Sequence, residues 1–137
     1  MTALMRANIP VHAEVWAAAV PFLQMALDKT DNKEWEIPDV LNYVNSGKGQ
    51  LLLGRGEGGE ILTAAVVGES IYYQTKVVEV FLMGAKKGTD WMPLLEQVID
   101  HSRALGYTHL RLAGRRWVKV LKKFGEARET YTAELTL

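Results

Sequence analysis

From Val11 to Asp28 the apolar residues Val15, Trp16, Ala19, Phe22, Leu23 and Leu27 recur at three- and four-residue steps. That is the period of one helix face, so the spacing predicts an amphipathic helix. Pro21 falls inside it and predicts a kink, because proline removes an intrahelical donor and crowds the preceding turn. A second stripe, Val40, Leu41 and Val44, predicts a helix from about Ile37 to Asn45. Pro38 suits its first turn and Gly47 stops it. The opening of the chain is therefore expected to be helical.

The period then changes. The stretch "QLLLGRGEGGEILTAAVVGESIYYQTKVVEVFLMGA" contains three β-rich runs, Gln50–Gly54, Glu60–Val67 and Lys76–Met83, separated by glycine-rich or polar turns. Such runs predict a meander of three antiparallel strands. Trp91, Leu94, Leu95, Val98, Ser102 and Leu105 then set a helical stripe that closes at Gly106, and "THLRLAG" reads as another strand. A short helix from about Arg115 to Phe124 is expected to pack through Trp117, Val120, Leu121 and Phe124, and "RETYTAEL" reads as a last strand. The order α-α-β-β-β-α-β-α-β implies one α/β domain, a mixed twisted sheet with helices on both faces. Within it, the Lys76 strand and the His109–Gly114 strand must be parallel, since a helical crossover joins them.

Composition narrows the function classes. At 137 residues the chain has the size of one domain, 1–137, which can bury roughly two-thirds of its unfolded surface without metals or disulfides. Sixteen basic and sixteen acidic side chains cancel, so no long-range field draws the molecule to nucleic acid or to an anionic membrane. The absence of cysteine excludes disulfides, thiolate metal sites and cysteine nucleophiles. "MTALMRANIP" has no signal-like apolar run, and no stretch reaches the roughly 18 apolar residues of a membrane span. A cytoplasmic, soluble protein is expected. His12, His101 and His109 show no metal-ligand spacing, and Ser46 and Ser70 lack the surroundings of a nucleophile elbow.

Three features carry candidate chemistry. The first is "FLMGAKKGTDWMPLLEQ", an apolar run passing through a Gly/Lys loop into a helix. Such a loop can cradle an anion with the unpaired amides of the first helical turn, aided here by Lys86 and Lys87. The same residues also make an ordinary strand-to-helix turn with Thr89 or Asp90 as the cap. The second is Glu79, the one acid inside "KVVEVFLM". It suits a general base of raised pKa if buried, and an ordinary cross-strand partner of Lys or Arg if partly exposed. The third is the basic side of the last helix, Arg115, Lys119, Lys122 and Lys123, with Arg103, Arg111 and Arg116 near in sequence. It can meet nucleic acid or an acidic partner, or serve as a solvated helix face. In all three cases the residues alone favour the ordinary structural role over the functional one.

From about Val11 to Leu135, the element order and the stretch "LEQVIDHSRALGYTHLRLAGRRWVKVLKKFG" resemble the Gcn5-related N-acetyltransferase (GNAT) superfamily. Within it, "LAGRRWVKVLKKFG" is similar to compact bacteriophage proteins with a Gly-Arg-x-x-Trp stretch. The resemblance implies an acetyl-CoA site, with the pyrophosphate on amides of the Gly84–Asp90 loop (Gly84, Ala85, Lys86, Lys87, Gly88 and Thr89 among them) and the thioester beside the Lys76–Met83 strand. It also implies Glu79 as the general base for an amine. The chain departs from the family's Arg/Gln-x-x-Gly-x-Gly/Ala loop: aligned on Leu94-Leu95, the glycine positions fall on Lys87, Thr89 and Trp91. Leu121 stands where the family often places a Tyr general acid. Trp91 is then expected to bury its ring under the loop or to project into the cofactor channel.

The expectation that follows is a GNAT-like protein with a degenerate acyl-CoA loop and no cofactor. It would be a non-catalytic structural or assembly protein of a phage particle that acts through protein contacts. An acetyl-CoA-dependent N-acyltransferase is the alternative, and a nucleic-acid module using Arg115, Lys119, Lys122 and Lys123 is the third reading. Trp117 is expected to be mostly buried, with Trp117→Ala costing about 3 to 5 kcal/mol.

Overall fold

The computed structural model describes residues 3–29, 35–71, 73–112, 117–128 and 135–136. Its elements run β1 (Ala3–Arg6), α1 (Ala13–Lys29), α2 (Ile37–Asn45), β2 (Gly49–Arg55), β3 (Ile61–Ile71), β4 (Lys76–Ala85), α3 (Met92–Ala104), β5 (His109–Leu112) and α4 (Trp117–Leu121). All five strands belong to one mixed sheet in the order β1-β2-β3-β4-β5. The first three pairings are antiparallel, and β4 and β5 are parallel neighbours. The meander and the crossover expected from the pattern are both present.

The opening is not wholly helical, because β1 precedes α1. It pairs Ala3–Arg6 with Arg55–Leu52. Its alternation is legible only once a partner is in place: Leu4 packs on one face of the sheet and Met5 on the other. The Leu4 amide donates to Oε1 of Gln97 on α3 at 3.2 Å, which ties the edge strand to a helix rather than leaving that amide open. The strand expected at "RETYTAEL" lies almost entirely outside the described residues, as do Gly114, Arg115 and Arg116.

Each face of the sheet carries its own core. Ala19, Leu23, Ala26 and Leu27 of α1 and Val40 and Val44 of α2 close over Leu51, Leu53, Ala64, Val66 and Leu82. The opposite face gathers Leu52, Ala65, Val67, Val78 and Val80, with Val98 of α3 and Tyr107 against them. Pro21 sits within α1 on its exposed side, where water can satisfy the carbonyl that loses its intrahelical partner.

At the far end of the second core, the Tyr107 hydroxyl donates to Oε2 of Glu69, and the Lys76 ammonium lies 4.4 Å from the Tyr107 ring centre. The hydrogen bond to Glu69, then burial, then the charge of Glu69 push the Tyr107 phenol up to about 12. A raised folded-state pKa means that the stabilisation is complete below the unfolded value of about 10 and is lost as pH rises through about 12. Urea midpoints are therefore expected to fall between pH 10 and 12, and Tyr107→Phe to flatten that decline. An equal decline in the variant would contradict the assignment.

Candidate functional site

The β4–β5 pairing sets the geometry of the site. It covers Val77↔His109 to Val80↔Leu112, and β4 then continues to Ala85. At this point β4 carries one extra residue. Val66 pairs with Leu82 and Val67 with Val80, which leaves Phe81 without a partner on β3. A bulge bends its strand and increases the local twist, so β4 changes course where its described pairing with β5 ends. Val80, Phe81, Leu82, Leu110, Leu112 and Trp117 line the open cleft there.

Gly84 and Ala85, expected in the loop, belong to the end of β4. Gly84 has a packing role: a Cβ there would overlap the backbone carbonyl of Phe22 in α1. The loop proper begins at Lys86, whose amide still donates to the Leu62 carbonyl at 2.7 Å as a continuation of the β3–β4 ladder. The Thr89 amide closes a turn on the Lys86 carbonyl at 3.0 Å. Gly88 supplies the positive φ of 85° that this turn requires.

The first turn of α3 is similarly occupied. The Met92 amide donates to Oδ1 of Asp90 at 3.2 Å, Pro93 has no N–H, and the Leu94 and Leu95 amides both donate to the Trp91 carbonyl at 3.1 Å. Asp90 thus satisfies the helix start, although the N-cap position itself is Trp91. A carboxylate there complements the helix dipole. Among the described residues, the loop amides without a partner are those of Lys87, Gly88, Asp90 and Trp91, interrupted at Thr89.

Trp91 is half-buried and meets Trp117 of α4 edge to face, with ring centres 5.2 Å apart and planes at 75°. The two indoles bridge from the start of α3 to α4. Trp117 is itself mostly covered, as expected, although no residue of α4 is fully buried. A five-residue helix has room for one shallow contact line, and the cost of Trp117→Ala falls below the range of full core truncations.

Glu79 lies in a cross-strand row, Gly49–Gly68–Glu79–Arg111, that traverses β2, β3, β4 and β5. Its Oε1 accepts from the Ser70 hydroxyl at 3.2 Å and stands 3.6 Å from Nη1 of Arg111. Its side chain is 23% exposed, which is the geometry of a partly exposed carboxylate with a cross-strand Arg. The glycines of the row have a purpose that local sequence does not reveal. A Cβ on Gly49 would strike the Tyr43 ring, and one on Gly68 would strike the Tyr43 hydroxyl and Phe81. The Tyr43 phenol is pushed up by burial and then by the charge of Glu79.

The basic strip is only partly assembled. Lys119, Lys122 and Lys123 are exposed, while Arg115 lies outside the described residues. Arg103 donates to the Phe124 carbonyl at 2.9 Å, and Arg111 is engaged with Glu79. Among the described residues no group of three or more His, Asp or Glu side chains is placed to hold a metal ion. No helix among them is long and apolar enough to cross a membrane.

The sequence matches no protein family profile and no curated protein. The fold does have relatives among solved structures. A Trypanosoma brucei acetyltransferase superposes with a TM-score of 0.70 at 11% identity, with 100% of each chain covered. A ribosomal-protein-alanine N-acetyltransferase from Brucella melitensis biovar Abortus 2308 gives 0.69 at 10% identity, over 99% of each chain. Glucosamine-6-phosphate N-acetyltransferase from Arabidopsis thaliana gives 0.66 at 11% identity, over 99% of this chain and 98% of that one. With its mixed sheet, its β4–α3–β5 crossover and these neighbours, the chain has the fold of the Gcn5-related N-acetyltransferases.

Proposed function

We propose that this protein is a non-catalytic member of the GNAT fold that works through protein contacts, with the acyl-CoA site closed. The observation that carries this reading is the occupied start of α3. The Met92 amide is taken by Asp90, Pro93 offers none, and Leu94 and Leu95 fold back on Trp91. Pyrophosphate capture needs several amides converging on a concavity with no side chain or negative charge in the way. Here the amides of Lys87, Gly88, Asp90 and Trp91 stay open, but the Asp90 carboxylate sits on the Met92 amide and sets a negative charge against a phosphate at the helix start. Lys86 and Lys87 add charge, but charge on exposed side chains gives weak, salt-screened binding.

The Trp91–Trp117 contact supports the same conclusion, since it ties the start of α3 to a ring that lines the cleft. Glu79 is held by Ser70 and Arg111 rather than presented alone, and Leu121 supplies no acidic proton. The narrower assignment, a structural or assembly protein of a phage particle, rests on the resemblance of "LAGRRWVKVLKKFG".

Thermal unfolding with acetyl-CoA tests the reading. A ligand at about 100 times its dissociation constant adds roughly 2.7 kcal/mol, which for a domain of this size raises Tm by several degrees. No shift is expected at millimolar acetyl-CoA. A rise of several degrees, or acetyl transfer to an amine, would favour the acyltransferase reading, with Glu79 as base.

A further inference from the structure

β3 and β4 form a hairpin that outruns the strand beside it. β2 begins at Gly49 opposite Gly68, while β3 runs on to Ile71, which pairs with Lys76 at the start of β4. Glu69, Ser70 and Ile71 therefore have β4 on one side and no described strand on the other. The Leu62 carbonyl accepts from the Lys86 amide, so the main-chain groups of Leu62, Ala64, Val66, Gly68 and Ser70 face β4, and those of the residues between them face β2. Past the end of β2, the N–H and C=O of Glu69 and Ile71 are aimed along an open edge.

Open edges are usually blunted by charge, by proline or by a covering element. The β1 edge is blunted, since Gln97 of α3 takes the Leu4 amide. The hairpin end is not: Ile71 is 70% exposed, and Tyr73 in the turn is fully exposed. Glu69, the one charge on the three-residue edge, turns its carboxylate to the Tyr107 hydroxyl of its own chain. Glu69, Ser70, Ile71 and Lys76 do not line the cleft beside β5. They lie at the opposite end of β4 from the Lys86–Trp91 loop.

We propose that this edge pairs with the same edge of a second copy of the chain, across a twofold axis at Ser70. The inference goes beyond the reading above and does not depend on whether acetyl-CoA binds. An antiparallel pair centred on Ser70 sets Glu69 opposite the second copy's Ile71, and Ile71 opposite its Glu69. Each outward N–H and C=O of the two residues then meets its complement. The segment is its own partner, as a twofold interface requires. On the Tyr107 side of the sheet the row reads Val78, Glu69, the second copy's Ile71 and the second copy's Lys76. Each exposed isoleucine is thereby enclosed between a glutamate stem and a lysine stem, with the other Ile71 as its diagonal neighbour, and no charge stands directly opposite a like charge. Three residues a side bury far less than the roughly 1,200 Å² of a stable complex, so the dimer is weak and forms at high protein concentration.

Sedimentation velocity from about 10 µM to about 1 mM reads the association, with a dissociation constant expected on the order of 100 µM. Ile71→Glu sets like charges opposite each other twice and is expected to weaken the dimer at least about tenfold. Because Ile71 is exposed, the variant is expected to melt with the parent. A thiol test reads the register in a chain that has no cysteine of its own. Ser70→Cys places two thiols at a non-hydrogen-bonded pair whose Cα atoms stand about 4.5 Å apart, inside disulfide range, and is expected to give a cross-linked dimer under copper–phenanthroline. Tyr73→Cys is the more exposed site, but its thiols stand on the order of 20 Å apart in the same dimer, and it is expected to link at least about tenfold more slowly. A parent that stays monomeric at about 1 mM, cross-linking of Tyr73→Cys as fast as Ser70→Cys, or undiminished association in folded Ile71→Glu would each overturn the pairing.

Discussion

Gly84→Ala is expected to destabilise the protein by about 3 kcal/mol or more, at the upper end of overpacking substitutions. An added Cβ would overlap the carbonyl and Cα of Phe22, and these are backbone atoms that cannot rotate aside. Relief requires α1 to lift from β4, which would loosen Leu23, Ala26 and Leu82 in the same core. Against a total stability of about 5 to 15 kcal/mol, one methyl group is a large perturbation. Urea denaturation of the two proteins measures it. A variant as stable as the parent would mean that α1 is not seated on Gly84, and would return that glycine to the loop as a phosphate-approach residue.

Leu95→Ala is expected to cost about 2 to 5 kcal/mol, the range for truncating a fully enclosed leucine. Leu95 is 1% exposed, and its neighbour Leu94 is also buried. Leu94 reaches Gly54 on β2, where an added Cβ would strike its methyl groups. The leucines at the start of α3 therefore bind the helix to the sheet whether or not the preceding loop holds a ligand. The denaturation midpoint should fall without any change in response to acetyl-CoA. A loss below about 1 kcal/mol would show that this end of α3 is loosely held and free to open around a ligand.

The elements that the sequence revealed are those whose signal is local. Glycine-bounded runs marked β2, β3 and β4, and a long apolar stripe marked α3, so the parallel β4–β5 crossover followed. β1 escaped because four residues cannot display a period before a partner strand is known. The Phe81 bulge has no local signature at all, since it exists only in the register of β4 against β3.

Site residues were harder to read, for the same reason. Gly84 looked like the first glycine of a loop, yet it is a strand glycine required by a helix more than 60 residues earlier in the chain. Glu79 carried a legible structural alternative, a cross-strand basic partner, but that the partner is Arg111 depends on the register of a parallel pair. Trp91 and Trp117 are separated by 26 positions and meet only because the fold brings the start of α3 beside α4. The inward side of Trp117 was legible from its helical stripe, but a stripe says which side faces inward, not which residue it meets there, so the Trp91 contact was not.

The claim that the cofactor route is closed is tested most directly by calorimetric titration of the unaltered protein with acetyl-CoA, beside a Trp91→Gly variant. Trp91→Gly removes the indole that spans to Trp117 and restores a glycine where the fold's enzymes keep one. No saturable heat is expected from the unaltered protein at low millimolar ligand, and measurable binding only in the variant. Saturable binding of acetyl-CoA by the unaltered protein with a micromolar dissociation constant would contradict it.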